Sequence, residues 1–265
     1  MFCVKCGASL PDDANFCFKC GCDLRNLSQS PRTCHSFDHV PSVSEYITFG
    51  RYPQNNGNIK EPIEWLVLEV NGNELFLISR YGLERQIYHH DEWFKEPTWE
   101  KCDLRRWLNN EFLNTAFSES EQKRIIISDL PNNDNSVFGT KGGERTRDKI
   151  FCLSLEEAKK WGSDNGNLKA WFEPVYFGFG DKPDYMRFGD NPATNLVCTP
   201  TALAHRSNDQ MIDGHYVCSW WLRSPGKHSC GACAAIVLPI GWLSFMGGGV
   251  YCNSVAVRPA LRITL

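Results

Sequence analysis

Residues 219–265 read SWWLRSPGKHSCGACAAIVLPIGWLSFMGGGVYCNSVAVRPALRITL, and the ends of this stretch differ in kind from its middle. One end is Ser219-Trp220-Trp221-Leu222-Arg223-Ser224-Pro225-Gly226; the other is Val257-Arg258-Pro259-Ala260-Leu261. Each joins apolar residues that need burial to an arginine whose fork of donors can brace a loop through carboxylates or carbonyls. Trp220, Trp221 and Leu222 are therefore expected to anchor a core strand, and Val257, Ala260 and Leu261 to supply the closing one. The Gly-rich segment between them is expected to hold two short strands, Ala234–Leu238 and Gly241–Phe245, joined through Pro239 and Ile240. Alternate residues of such strands point outward.

Firm ends around a mixed middle describe a scaffold that presents a surface. The candidate ligand-binding residues are His228, Ser229, Cys230, Ile236, Leu238, Ile240, Trp242, Ser244, Phe245, Tyr251 and Asn253. Aromatic side chains give large contact area at small entropic cost and are enriched at binding hot spots. Any one of these rings could equally face the core. It is the group, on a glycine-rich frame, that points to binding.

The other end of the chain carries a different signal. Cys3-Val4-Lys5-Cys6-Gly7 and Cys17-Phe18-Lys19-Cys20-Gly21 are two Cys-x-x-Cys knuckles, each with the glycine that a tight turn needs. Their four thiolates suit one tetrahedral Zn²⁺, with Cys3, Cys6, Cys17 and Cys20 as ligands. A segment this short has little core, so the metal would supply most of its folding free energy, on the order of 10 kcal/mol. A four-cysteine site has no open coordination position and is therefore structural. Lys5 and Lys19 are offset by Asp12, Asp13 and Asp23, which leaves no basic face for nucleic acid. The ribbon is expected over 1–24. Residues 25–45, rich in Ser, Pro and polar side chains without periodicity, read as a linker.

From residue 46 to 265 the pattern is that of one α+β domain. Ile47–Pro53 reads as an opening strand. Ile63–Val70 and Glu74–Ser79 flank Asn71-Gly72, a strong hairpin signal. Leu104, Trp107, Leu108 and Phe112 form an apolar stripe at helical spacing between Trp99 and Thr115. Ser118 with Glu121, and Ser154 with Glu157, are capping boxes for two further helices. Asn132–Asn135 reads as a solvated loop rather than a calcium site, because no acidic ligand follows at the required spacing. Residues 173–195 read as a long ordered loop, and Thr199-Pro200 as the start of a brief helix through Ala204.

Composition bounds the function. The chain has 265 residues, 42% hydrophobic and 22% charged, with a formal net charge of −3, which fits a soluble protein with no global field for polyanions. No apolar run is long enough to span a bilayer, and the N-terminus lacks the pattern of a signal peptide. Thirteen cysteines is an odd number, and four of them are in metal-type pairs, so reduced thiols in a cytoplasm are expected rather than a disulfide scaffold.

The two ends of the C-terminal stretch, with Asp103-Leu104-Arg105-Arg106-Trp107-Leu108-Asn109 and Phe49-Gly50-Arg51-Tyr52-Pro53, resemble a bacterial family catalogued as domain of unknown function 6273. An N-terminal zinc ribbon is a familiar companion of that family. The ending is also similar to the variable proteins of diversity-generating retroelements. That resemblance implies a C-type-lectin-like fold, related to formylglycine-generating enzymes, that displays mutable residues to a protein partner. Ala256 stands where a glycine commonly precedes the Val-Arg-Pro motif. The expectation is a non-enzymatic binding protein; the alternative is a formylglycine-generating type of oxidase using Cys230 and Cys233. A second metal site from Cys230, Cys233, Cys252 and His228 is a further alternative. No nucleophile elbow, phosphate loop, His-Glu-x-x-His or paired-carboxylate motif is present.

Overall fold

The Asn71-Gly72 signal closes the first hairpin. In a computed structural model that describes residues 40–55, 59–90, 97–162, 172–175, 185–188, 196–228 and 232–265, strand β1 (Tyr46–Pro53) pairs antiparallel with β2 (Lys60–Asn71), and β2 with β3 (Glu74–Ser79). Gly72 takes φ +58° as the first of the two connecting residues, the left-handed backbone that glycine supplies without strain. The chain divides into two units, 1–38 and 39–265. The first unit, with Cys3, Cys6, Cys17 and Cys20, lies outside the described residues.

In the second unit a short strand β4 (Glu84–Arg85) is followed by a 3-10 turn, Trp99–Lys101, and a helical rod. The rod is α1 (Asp103–Trp107), a π turn over Leu108–Phe112, and α2 (Leu113–Ala116). Leu104, Leu108 and Phe112 of the expected stripe are buried, and Trp107 is half-buried. Both capping boxes form. Ser118 and Glu121 cap α3 (Glu119–Arg124), and Ser154 and Glu157 exchange bonds of 2.9 and 3.1 Å ahead of α4 (Leu155–Gly162). Strands β5 (Ile125–Ile126), β6 (Ser128–Leu130), β7 (Thr146–Asp148) and β8 (Ile150–Phe151) lie between these two helices.

Within 173–195 the described residues are strand rather than loop: β9 (Phe172–Val175) pairs antiparallel with β10 (Tyr185–Phe188), which adds to a sheet edge, and the rest of the span lies outside the described residues. Thr199-Pro200 does not start a helix either. Thr201 makes a single turn, its Oγ1 accepting from Ala204 N–H at 3.2 Å and its carbonyl from His205 N–H at 2.8 Å. Strands β11 (Gln210–Ile212) and β12 (His215–Val217) then form a separate two-stranded ribbon.

The C-terminal stretch supplies β13 (Trp220–Pro225), β14 (Cys233–Val237), β15 (Leu243–Gly249), β16 (Ala256–Val257) and β17 (Ala260–Thr264). They build both main sheets. One runs β1-β2-β3-β17-β5, with β8 also on β17; the other runs β4-β16-β13-β14-β15-β10-β9. Val257 ends a strand of the second sheet and Ala260 begins the centre of the first, so Arg258-Pro259 is the crossing between sheets. Arg258 is 3% exposed there and donates from Nε to Ser79 O at 2.9 Å. Pro259 has no N–H to lose at a break in pairing.

All six residues of β13 are buried. Its two indoles are satisfied: Trp220 Nε1 donates to Leu196 O at 2.9 Å and Trp221 Nε1 to Gln86 O at 2.8 Å. Arg223 reaches across to the Glu157 carboxylate (2.9 Å to Oε1) and to Cys152 O (3.0 Å). Glu157 thus both caps α4 and neutralises the arginine of the core strand. The architecture is a mixed α+β domain in which sheet predominates.

Candidate functional site

Tyr88 holds the site in place. It has no exposed surface, and its ring lies 5.5 Å from Trp221 and 6.2 Å from Trp99. Its hydroxyl donates to Arg223 O at 3.1 Å, its N–H to Val250 O at 2.7 Å, and its carbonyl accepts from Leu104 N–H at 3.1 Å. Burial holds the phenol pKa well above its ordinary value, so it stays a donor at any physiological pH. One residue therefore ties together β13, the start of α1 and the turn after β15.

The residues after this peg reach the surface. His89 N–H donates to the same Val250 carbonyl at 3.0 Å. His90 is exposed; its N–H and its Nδ1 each lie 2.9 Å from Asp103 Oδ2. His89 Nδ1 is also 2.9 Å from that oxygen, a charge contact when the imidazole is protonated. Arg106 bonds the other oxygen of Asp103 from one turn along the helix. Asp103 is the first residue of α1, where the helix dipole favours a carboxylate.

Around this cluster is a cleft of about 240 Å³ lined by Gln86, Ile87, His90, Asp103, Leu104, Arg106, Trp107 and Glu111. Trp107 and Glu111 flank and enter the π turn, a local widening of the helix that recurs at functional sites. Asn109, within the π turn, donates from Nδ2 to Ile150 O at 2.8 Å and accepts on Oδ1 from Lys149 and Ile150 N–H. The volume is below the roughly 300–1,000 Å³ of pockets for drug-sized ligands. It suits one inserted side chain.

The expected surface residues separate into three groups. Tyr251 is 52% exposed and Asn253 is also exposed, on the turn that Val250 fixes beside His89. His228, Leu238, Ile240 and Trp242 are half-buried, the last three at the tip of the β14–β15 hairpin. Ile236, Ser244 and Phe245 are buried, which corrects their expected outward placement. Alternation fails because both faces are covered: β14 is buried without interruption from Ala234 to Val237, and β15 from Leu243 to Phe245. Ser229 and Cys230 lie outside the described residues.

The glycines in this region are demanded by packing. Gly247 has φ +81°, and a β-carbon there would meet Ala234 O at 2.1 Å; one on Gly226 would meet Met246 O at 2.4 Å. The segment is a closely apposed strand pair. Asn135, from the polar tract read as a solvated loop, is 1% exposed and clasps it, donating to Pro225 O at 2.8 Å and Phe245 O at 2.9 Å.

Among the described residues no group of three or more His, Cys, Asp or Glu could hold a metal ion, so Cys233, Cys252 and His228 do not form such a set by themselves. No helix among them is long and apolar enough to cross a membrane.

A family described as a domain of unknown function, DUF6273, has a model that matches residues 72–265, well over half of the chain. The chain belongs to that family. The DUF6273 match takes in β3 and everything after it, including Tyr88, Asp103 and the whole C-terminal stretch, whereas β1 and β2 precede it. A zinc-ribbon domain model matches residues 2–24. Curated proteins and solved structures give no match.

The Asp103 cluster was not among the residues expected from sequence. Its visible traces are the paired histidines His89-His90 and an acid–base pair at i, i+3 opening a helix, Asp103 and Arg106. Neither predicts that the two segments meet.

Proposed function

We propose that this DUF6273 protein is a non-enzymatic binding protein that recognises a protein partner through the Tyr251–Asn253 turn and the adjoining Asp103 cleft. The observation that carries this reading is the contrast in exposure within one rigid unit. Val250 is pinned by Tyr88 and His89, yet Tyr251, the next residue, leaves half its surface to solvent. A large ring on a fixed turn binds at little entropic cost. The neighbouring cleft has apolar walls (Ile87, Leu104, Trp107) and charged groups (His90, Asp103, Arg106, Glu111), the mixture that seats and orients a single partner side chain.

The test is capture of a partner by the full chain, by Tyr251→Ala and by Asp103→Ala, each checked by its thermal melt. Both variants are expected to melt as the parent does within a few degrees and to lose the captured protein. Undiminished capture by both moves the binding surface elsewhere.

The ribbon at 2–24 holds, in this reading, one structural Zn²⁺ on Cys3, Cys6, Cys17 and Cys20, because two Cys-x-x-Cys pairs supply the thiolate set of a closed tetrahedral site. Metal analysis of the purified protein is expected to give one zinc per chain, lost in Cys3→Ser; the same zinc content in that variant refutes the assignment. The thiol-rich composition supports a cytoplasmic setting.

The C-type-lectin-like and retroelement-diversified readings are part of the same proposal and make a position-specific statement. Sequencing of the gene across closely related cells is expected to show substitutions at Leu238, Ile240, Trp242, Tyr251 and Asn253, sparing the buried Ile236, Ser244 and Phe245. A uniform segment from Lys227 to Ser254 removes diversification and leaves an ordinary binding domain.

A further inference from the structure

Two buried cysteines outside the candidate site are placed as a pair. Cys198 and Cys218 are each 1% exposed and twenty residues apart in sequence. Cys218 N–H donates to Cys198 O at 2.9 Å, and Cys218 Sγ lies 3.5 Å from that oxygen. A backbone bond of this kind brings two α-carbons to within about 6 Å, inside the range a disulfide spans. The sulfurs converge on Gly82: a β-carbon there would lie 3.2 Å from Cys218 Sγ and 3.6 Å from Cys198 Sγ.

The surroundings treat the two thiols unequally. Burial raises the Cys198 pKa, but the hydrogen bond from the Cys218 thiol, the Arg258 charge, the Gly82 N–H and the Arg85 charge together bring it below its ordinary value. Cys218 is pushed well above its ordinary value, first by its bond to Cys198 and then by burial. Of the two, Cys198 is therefore the more readily ionised and Cys218 the one that keeps its proton. The chain has an internal control in Cys102 and Cys152, which are equally buried. Burial pushes Cys102 up to about 12 and raises Cys152 further, which disfavours the thiolate at both.

We propose that Cys198 and Cys218 are a redox site that closes to an intramolecular disulfide with a small peroxide as oxidant. The Cys198 thiolate attacks one peroxide oxygen; the O–O bond breaks, and the departing hydroxide takes a proton to leave as water, giving Cys198 sulfenic acid. Cys218 sulfur then attacks Cys198 sulfur, the S–O bond breaks, and the Cys218 proton leaves with the hydroxide as a second water. Two thiols are oxidised to one disulfide and one peroxide is reduced to two waters. Burial slows entry of the oxidant, and the adjacent Cys218 directs the product to a disulfide instead of a higher oxide.

The bond would clip the 196–201 segment to the head of β13. Gly82, whose N–H donates to Thr199 O at 3.0 Å and whose carbonyl accepts from Thr201 N–H at 2.9 Å, lies in the same knot. This strap leads through β4 to Gln86 and His90 of the cleft, so oxidation would stiffen the approach to the site of the proposed function without altering a residue in it.

The experiment uses the full, zinc-loaded chain. It is titrated with hydrogen peroxide, blocked with N-ethylmaleimide and digested with trypsin. Cleavage at Arg187, Arg206 and Arg223 isolates Cys198 in residues 188–206 and Cys218 in residues 207–223. The expected result is a linked pair of these peptides that dithiothreitol separates, formed at doses that leave Cys102 and Cys152 as thiols, with a higher melting temperature for the oxidised protein. In Cys218→Ala, dimedone is expected to trap the Cys198 sulfenic acid; if that variant does not fold, the wild-type mapping decides alone. Recovery of Cys198 and Cys218 as free thiols until the protein unfolds, or of Cys198 as a sulfinic acid with no linked pair, overturns the proposal.

Discussion

Strand β13 and the Gly249–Ser254 turn belong to one C-terminal stretch, yet they are held by opposite means. In β13 every residue is buried, both indoles donate to backbone carbonyls, and Arg223 is neutralised by Glu157 from another element. The turn is fixed at a single residue: Val250 is fully buried and its carbonyl receives two N–H groups, while Tyr251, Asn253 and Ser254 stand in solvent. The first arrangement uses its side chains for stability. The second draws stability from its backbone and leaves its side chains free for recognition. That division lets exposed positions change without unfolding the domain, because the free energy of the turn does not depend on which side chains it carries.

The comparison predicts a graded series of effects. The largest is expected for Arg223→Ala. Removing one partner of a buried ion pair costs about 3–5 kcal/mol. Glu157 keeps 26% of its side chain exposed and can turn to water, which places this variant at the lower end. A loss of about 3 kcal/mol lowers Tm by about 6–12 °C in a domain of this size, readable by calorimetry. A Tm within a degree of the parent would show that the frame does not rest on this arginine.

A smaller effect is expected for Gly82→Ala, whose new methyl would sit 2.9 Å from the Ala256 β-carbon and 3.2 Å from Cys218 Sγ. Overpacking of this kind costs about 1–3 kcal/mol. Adding Ala256→Gly removes the first contact, so the double variant is expected to recover part of the loss; urea melts of the four proteins give the coupling directly. Simple additivity would mean that Gly82 is needed for the sulfur pair and not for Ala256.

The smallest effect on stability is expected for Tyr251→Ala, within about 0.5 kcal/mol. A loss of several kcal/mol would place Tyr251 in the frame and end its role as a presented ring.

Much of the fold was legible because it depends on neighbours in sequence. The capping boxes at Ser118 and Ser154 are satisfied within three residues. The first hairpin follows from Asn71-Gly72, and a paired tryptophan has nowhere to go but a core. The site was less legible. Ile236 on β14 and Ser244 and Phe245 on β15 sit in a glycine-rich segment that reads as a surface, but Ala234–Val237 and Leu243–Phe245 are each buried without interruption, so both faces of these strands are covered there. Asn135 looks like any loop asparagine until Pro225 O and Phe245 O, from two distant strands, converge on its amide.

The sequence by itself determined the first hairpin and the capped starts of α3 and α4, that Trp220–Pro225 and Val257–Leu261 are structural, and that the first residues carry a zinc-ribbon pattern. These follow from propensity, capping and the need to bury large apolar groups, all local properties. Only the tertiary structure decided which aromatic rings of the C-terminal stretch face solvent, that His89 and His90 meet Asp103, and that Cys198 lies against Cys218. Each of those joins segments far apart in the chain, and no local pattern encodes a contact whose partner is chosen by how two sheets are connected through Arg258 and Pro259.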